Sequence, residues 1–133
     1  MSKKEIRTPH VKKPIGPWVQ GVEVTGGKLI FTAGYAAQDM NGRIVGAGDV
    51  AQQTRHCLES IRHVIEAAGG TLADLVKISV FLTDPKNYDA MNAVRREVLK
   101  DIAFVSTSVI TALPPPAGAD ALIEIDAVAV VKG

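Results

Sequence analysis

The strongest hydrophobic pattern lies in two runs near the end of the chain, residues 105–114 and 122–131. Both are rich in β-branched side chains, which favour strands, and a strand alternates its side chains between two faces. In the second run this alternation places Glu124 and Asp126 on one face and Ile125 on the other. A carboxylate within so apolar a strand is costly to bury unless it is paired or used chemically. Glu124 is therefore the first candidate for a functional residue.

Two amphipathic helices are predicted upstream of these runs. After Asp49, a residue suited to an N-cap, apolar side chains recur at spacings of three and four as far as Ala68. Gly69 and Gly70 then end the stripe. A second stripe covers about residues 87–100, so a second helix is expected there.

Strands fill most of the remaining chain. Segments next to turn residues predict them at residues 5–8, 20–24, 28–33 and 43–45, and clear alternation of side chains predicts one at residues 76–83. The glycines of Thr25-Gly26-Gly27 suggest a hairpin turn between the second and third of these. Because each helix is flanked by strands, the connections are crossovers. We therefore expect one α+β domain over residues 1–133, with a mixed sheet and both helices packed on one face.

Charge and composition exclude several classes of protein. Fifteen basic residues face 14 acidic ones among 133, a net charge of +1 that does not fit a dedicated nucleic-acid binder. The single cysteine, Cys57, cannot form an internal disulfide. No apolar run is long enough for a membrane span, and the N-terminus lacks a signal-like apolar stretch. We expect a soluble, cytoplasmic protein with no nucleic-acid or membrane partner.

Four features have a structural interpretation that outweighs the chemical one. Residues 46–51 fit the outline G-x-G-x-x-A of a dinucleotide site, but the preceding strand is short and a glycine turn before a helix cap explains them better. His56 and His63 lie two helical turns apart with no third histidine nearby, so no metal site is predicted. Cys57 falls on the apolar stripe, and Pro114-Pro115-Pro116 reads as a rigid turn.

For Glu124 the residue pattern leaves two interpretations open. A carboxylate at such a position either serves chemistry or pairs with a lysine or arginine. The hydroxyls of Ser106, Thr107 and Ser108 have no evident base beside them, so they do not suggest nucleophilic catalysis.

A set of short segments extends in order over nearly the whole chain. It comprises Gly16-Pro17-Trp18-Val19-Gln20, Phe31-Thr32-Ala33-Gly34, Gln53-Thr54, Val80-Phe81-Leu82-Thr83-Asp84, Asn92, Ala112-Leu113-Pro114 and Leu122 to Ala129. This set resembles the Rid family of reactive intermediate deaminases, also called YjgF or endoribonuclease L-PSP proteins. The resemblance implies a chorismate-mutase-like α+β fold, assembled as a homotrimer with a ligand cleft at each subunit interface.

The resemblance also implies an activity. Family members of the RidA type hydrolyse reactive enamines and imines, such as 2-aminoacrylate and its imine tautomer, to a ketoacid and ammonia without a cofactor. In them a glutamate of the final strand positions or activates water, and it maps onto Glu124. Their carboxylate-binding arginine maps onto Val105, so it is absent here. The aromatic residue of their Gly-Pro loop, usually tyrosine, is Trp18.

These departures predict a different substrate. Valine offers no donor to a carboxylate, and Trp18 adds a large flat surface, so a bulkier imine or enamine less dependent on a carboxylate anchor is expected. Arg7 or Lys12 could replace the anchor. The residues expected to bind substrate, with Glu124 as the catalytic one, are Trp18, Gly34, Tyr35, Asn92, Val105, Ser106 and Thr107.

Two other functions compete with deamination. The fold could serve as a non-catalytic trimeric module that binds a small molecule or another protein, because a fold does not determine function. The older family name implies an endoribonuclease, which ranks last because the net charge is only +1 and no histidine pair suits acid–base cleavage.

Overall fold

Seven strands and two α-helices make up the chain in the computed structural model, which describes residues 1–133. The strands are β1 (Ser2–Ile6), β2 (Gly21–Thr25), β3 (Lys28–Phe31), β4 (Tyr35–Ala36), β5 (Leu75–Leu82), β6 (Val105–Ile110) and β7 (Ile123–Val131). The helices are α1 (Val50–Ala67) and α2 (Tyr88–Val98). Three single 3₁₀ turns lie at Leu72–Asp74, Pro85–Asn87 and Pro115–Ala117, the last of them in the predicted proline turn.

The main sheet has five strands. Its order is β3-β7-β5-β6, and the short β4 also pairs with β7. β5 and β6 are parallel, as a crossover through α2 requires, and the other pairs are antiparallel. Register places Phe81 of β5 opposite both Glu124 of β7 and Val109 of β6. The predicted mixed α+β sheet with two helices is confirmed.

The two faces of the sheet differ in burial. On one face β7 contributes Ile123, Ile125, Ala127 and Ala129, all buried, to a core shared with both helices. We call the opposite face, which carries Glu124, Asp126 and Val128 of β7, the open face. It exposes 71% of Phe31, which lies opposite Val128. Strands as apolar as the last two are usually buried on both faces, but within a single chain only one face is buried.

The predicted helix boundaries are confirmed at α1. The Asp49 carboxylate accepts a hydrogen bond from the Gln52 amide at 3.0 Å, which caps the first turn. At the other end Gly69 takes a φ of 90°, and the Gly70 amide donates to the Ile65 carbonyl. Neither helix is both long and apolar enough to cross a bilayer.

The predicted hairpin at Gly26-Gly27 is wrong in its pairing. Both glycines have positive φ, yet β2 pairs with β1 in a separate two-stranded sheet while β3 pairs with β7. β3 is almost wholly apolar and matches the apolar β7, whereas β2 alternates apolar and polar residues. The strand predicted at residues 5–8 lies at Ser2–Ile6, and the one at 43–45 reduces to a single bridge between Gln38 and Ile44.

Candidate functional site

Glu124 stands on the open face, half-buried in the middle of the sheet. It lies opposite Phe81 of β5 on one side and Ala36 of β4 on the other. It takes part in none of the ion pairs of the chain, and no side-chain hydrogen bond ends on it. The interpretation of Glu124 as half of a structural ion pair is therefore wrong within the chain. Its carboxylate is available to another group.

Gly34 makes room for this carboxylate. A Cβ atom at position 34 would lie 2.6 Å from Oε2 of Glu124 and 3.1 Å from its Cδ, which is closer than real Cβ contacts allow. The next residue, Tyr35, packs against the main core. The structure thus brings together Gly34 and Glu124, two of the predicted site residues, at the junction of β4 and β7.

Trp18 belongs to a different part of the surface. The preceding loop folds back so that the indole lies against Gly16, where a Cβ atom would come within 1.9 Å of the ring. The Val19 amide donates to the Phe104 carbonyl at 2.9 Å, which ties the loop to the start of β6. The Gly-Pro-Trp sequence therefore builds a tight loop with an aromatic side chain beside the edge strand.

A cleft of about 350 Å³ lies between this loop and β6. We call it the β6 cleft. Four predicted site residues line it, namely Trp18, Val105, Ser106 and Thr107. The other lining residues are Val11, Lys12, Pro14, Val19, Gln20 and Lys77. The prediction that residues 105–107 share a pocket with Trp18 is consistent with this geometry, and Lys77 is an addition to it.

Arg95 is the residue that the sequence reasoning missed. It lies on α2 with 1% of its surface exposed, yet no carboxylate pairs with it. Each guanidinium nitrogen donates instead to a neutral oxygen, on Asn92, Ser106, Ser108 or Tyr88. The guanidinium carbon also lies 4.9 Å from the centroid of the Trp18 ring, within cation–π range. Burial lowers the pKa of Arg95.

Asn92 was expected to bind substrate, and in the structure its side chain accepts hydrogen bonds from Arg95. Its Oδ1 accepts from Nη2 of Arg95 at 2.8 Å and from Nε at 3.2 Å. Ser106 accepts from Nη1 at 2.9 Å and also lines the β6 cleft. Arg95 thus connects α2, the cleft wall and the Trp18 loop. Its sequence signal was its place in the apolar stripe, four residues after the buried Met91.

The Glu124 region and the β6 cleft are separated within one chain. β5 lies between β7 and β6, and Lys77, which pairs with Val105, is four residues before Phe81, which pairs with Glu124. Strands are spaced by about 4.8 Å and rise about 3.3 Å per residue, so the Cα atoms of Glu124 and Val105 lie roughly 16 Å apart. A small substrate held beside Val105 does not reach Glu124 of the same chain.

The histidines and the cysteine stay outside both regions. His63 lies 3.8 Å from Glu59 on the surface of α1, and Nδ1 of His56 is buried with no partner. No group of three histidine, cysteine or acidic side chains is placed to hold a metal ion. Burial, and secondarily the charge of Glu124, raises the pKa of Cys57 to about 12, so the thiol is a neutral core group as predicted.

Comparisons with known proteins show what this chain is similar to. The family model described as endoribonuclease L-PSP matches residues 8–131. A RutC family protein of Pyrococcus abyssi is 35% identical over 97% of this chain and 98% of its own length. YyfB of Yersinia pestis, a protein of the conserved Rid family, is 28% identical with a TM-score of 0.80, covering 98% of this chain and 100% of its own. TdcF of E. coli, solved with bound serine, is 30% identical with a TM-score of 0.63, covering 96% and 98%.

Proposed function

We propose that this chain, which belongs to the endoribonuclease L-PSP family (the Rid or YjgF proteins), hydrolyses a reactive enamine or imine and releases ammonia. The observation that carries the proposal is Glu124, a half-buried carboxylate with no ion pair, set against Gly34 on a strand whose only other polar residue is Asp126. Carboxylates in such surroundings are usually paired unless they take part in chemistry. The enamine substrate enters the reaction as its imine tautomer.

Glu124 acts as the general base and then as the general acid. It accepts a proton from a water molecule while the water oxygen bonds to the imine carbon, whose C–N π electrons move to nitrogen. The same carboxyl group returns a proton to the nitrogen. In the resulting carbinolamine, Glu124 takes the hydroxyl proton and passes it to the amino nitrogen. The C–N bond then breaks as the oxygen lone pair forms the carbonyl, so the products are a keto compound and ammonia. No cofactor takes part in this sequence.

The proposed assembly is a homotrimer whose site is shared between chains. Two observations support it. The open face exposes apolar side chains, among them Leu29 (63%), Phe31 (71%) and Val109 (42%), which is the kind of surface that a partner covers. In addition, Glu124 and the β6 cleft are too far apart in one chain to act on one small molecule. In the assembly, Glu124 of one chain meets the β6 cleft of its neighbour.

The proposed substrate is larger than 2-aminoacrylate. Trp18 gives the β6 cleft a flat apolar wall, and Val105 adds no polar group to it. The serine bound to TdcF makes an amino-acid-derived imine a suitable chemical class. In this proposal Trp18, Val105, Ser106 and Thr107 contact the substrate, and Gly34 admits it beside Glu124.

The test is ammonia release from imino acids that an amino-acid oxidase generates in situ, with small and aromatic side chains compared. Wild type should accelerate release, and Glu124→Gln should lower the rate by about 10²-fold or more, the usual contribution of a general acid–base group. Asp126→Asn is the matched control, because Asp126 lies two residues along the same strand and face. Equal rates for wild type and Glu124→Gln would remove Glu124 from the mechanism.

The second candidate is a binding module without turnover. The absence of a hydrogen-bond donor at Val105 favours it, since a poorly oriented substrate reacts slowly. If wild type releases no ammonia from any imine, this candidate replaces the deaminase. Ribonuclease activity has less support, because none of His10, His56 and His63 lines the β6 cleft.

A further inference from the structure

The β6 cleft is lined by positive charge and by no negative charge. Lys12 and Lys77 are among its ten lining residues, and none of the ten is acidic. The neighbouring cleft across the Trp18 loop differs, because Glu5 lines it beside Arg7 and Lys13. A concave surface with cations alone on its rim attracts anions and retains them.

Lys77 lies directly beside Val105 in the sheet. The two residues are partners in the parallel ladder between β5 and β6, so their side chains leave the sheet on the same face and about 4.8 Å apart. Lys77 is exposed and takes part in none of the ion pairs of the chain. Both side chains line the β6 cleft, where the side chain of Val105 occupies less space than an arginine would. Lys77 therefore provides a positive charge beside Val105, the position onto which the carboxylate-binding arginine of the family maps.

Arg95 adds a third positive charge, behind the cleft wall. It is buried without a carboxylate partner, and its Nη1 donates to the hydroxyl oxygen of Ser106, which lines the cleft. Because that oxygen accepts from Arg95, the Ser106 proton is free to point toward a ligand. Arg95 also lies against Trp18, the aromatic wall. The cationic surroundings are thus built from three different elements, β5, α2 and the N-terminal loop.

We propose that Lys77 binds the carboxylate of the substrate in the β6 cleft, with Arg95 as a positioning residue that holds Ser106 and Trp18 around it. This inference rests on the proposed function and names its substrate class, a 2-imino acid whose apolar side chain packs on Trp18. Lysine offers a point charge on a flexible chain, whereas arginine offers a rigid two-pronged donor. The anchor is accordingly looser, which suits larger substrates.

The experiment measures binding without turnover. The probe is 3-phenylpropanoate, an unreactive aromatic carboxylate, with neutral 3-phenylpropanamide as its matched partner. Titration calorimetry gives the Kd, and the fluorescence of Trp18, the single tryptophan, reports occupancy of the cleft. Wild type should bind the carboxylate at least tenfold more tightly than the amide. Lys77→Met should remove that difference, and Lys77→Arg should keep most of it.

Two control variants make the outcome decisive. Lys100→Met removes an exposed lysine outside the cleft and should leave both Kd values unchanged. Lys12→Met removes the other lysine of the cleft and should have a smaller effect than Lys77→Met. The inference is overturned if wild type does not prefer the carboxylate, if Lys77→Met keeps the preference, or if Lys12→Met alone abolishes it.

The binding test is separate from the test of the deaminase proposal. Carboxylate binding that depends on Lys77, in a protein that releases no ammonia, would support this inference and reject the proposed chemistry. Ammonia release whose KM is the same in wild type and Lys77→Met would support the chemistry and overturn the inference.

Discussion

Arg95 and Glu124 are both charged side chains among apolar neighbours, and the chain treats them in opposite ways. Arg95 is sealed from solvent, and each of its nitrogens donates to an oxygen of α2 or β6. Glu124 is half-buried on the open face, and no side chain of its own chain binds it. Arg95 therefore has a structural role in the chain. The charge of Glu124, in contrast, has no partner within the fold.

The difference shows how the burial of a charge should be interpreted. A buried charge with all of its hydrogen bonds satisfied is costly to remove, because its partners lose their donors. A charge without partners contributes little to the fold, so its presence is better explained by binding or catalysis. Substitution of Arg95 is therefore expected to lower stability, whereas substitution of Glu124 is expected to lower activity.

The largest expected effect follows removal of the Arg95 side chain. Arg95→Met leaves the oxygens of Asn92, Ser106 and Tyr88 without their donor, and each unsatisfied group costs about 1–3 kcal/mol. We expect the free energy of unfolding to fall by about 3 kcal/mol, measured by urea denaturation at a fixed protein concentration. Arg96→Met changes the adjacent, exposed arginine and should cost less than about 0.5 kcal/mol. Equal losses for the two variants would show that the Arg95 network is not structural.

A smaller effect is expected from substitution of Gly34, which should lower activity more than stability. In Gly34→Ala the new Cβ displaces the end of the flexible Glu124 side chain, so unfolding should change by less than about 1 kcal/mol. Misplacement of a catalytic group by about 1 Å costs up to about 10²-fold in rate, so we expect kcat for ammonia release to fall by roughly tenfold.

Two controls define the Gly34 result. Gly21→Ala should leave kcat unchanged, because its Cβ would meet Ile6 at an ordinary distance of 3.5 Å. Gly34→Ala should add nothing in a Glu124→Gln background, since the group that it displaces is then already inactive. A further loss in that background would mean that Gly34 acts other than through Glu124.

The smallest effect concerns Cys57 beneath the Glu124 region. Burial first, and the charge of Glu124 second, raises the pKa of its thiol from 9.0 to about 12. Because the unfolded chain releases this proton at lower pH than the folded one, the stabilisation is complete below pH 9 and is lost as pH rises toward 12. Between pH 9 and 10 the loss is about 1 kcal/mol.

The measurement for Cys57 is urea denaturation at pH 8, 9 and 10. Cys57→Ala should lose less stability than wild type over this range, and Glu124→Gln should lose slightly less than wild type because one of the two causes is removed. Parallel pH profiles for wild type and Cys57→Ala would contradict the raised pKa.

Much of the fold follows from periodicity in the sequence. The helical stripes, the Asp49 cap and the alternating strands are local patterns, and the chain forms α1, α2, β5 and β7 where they predict them. Strand pairing is not local. Gly26-Gly27 has the residues typical of a hairpin turn, but β3 pairs with β7, which is more apolar and distant in sequence. No neighbouring residues indicate that pairing.

Single residues of the candidate site were predictable from the sequence, but their arrangement in space was not. Glu124 stood out because a carboxylate interrupts an apolar strand. Arg95 did not, because Arg95 and Arg96 look alike in sequence, and only the position in the helical stripe makes one buried and the other exposed. The pairing of Lys77 with Val105 depends on the register of two strands joined through a helix, which composition does not reveal.

The separation of Glu124 from the β6 cleft by β5 has a genetic consequence. Under the proposed assembly each site takes its carboxylate from one chain and its cleft from the next. An allele that lacks the carboxylate and an allele with a defective cleft are then each inactive alone. Mixed trimers of the two gene products contain one interface at which the intact carboxylate meets an intact cleft, so the alleles complement each other when expressed together.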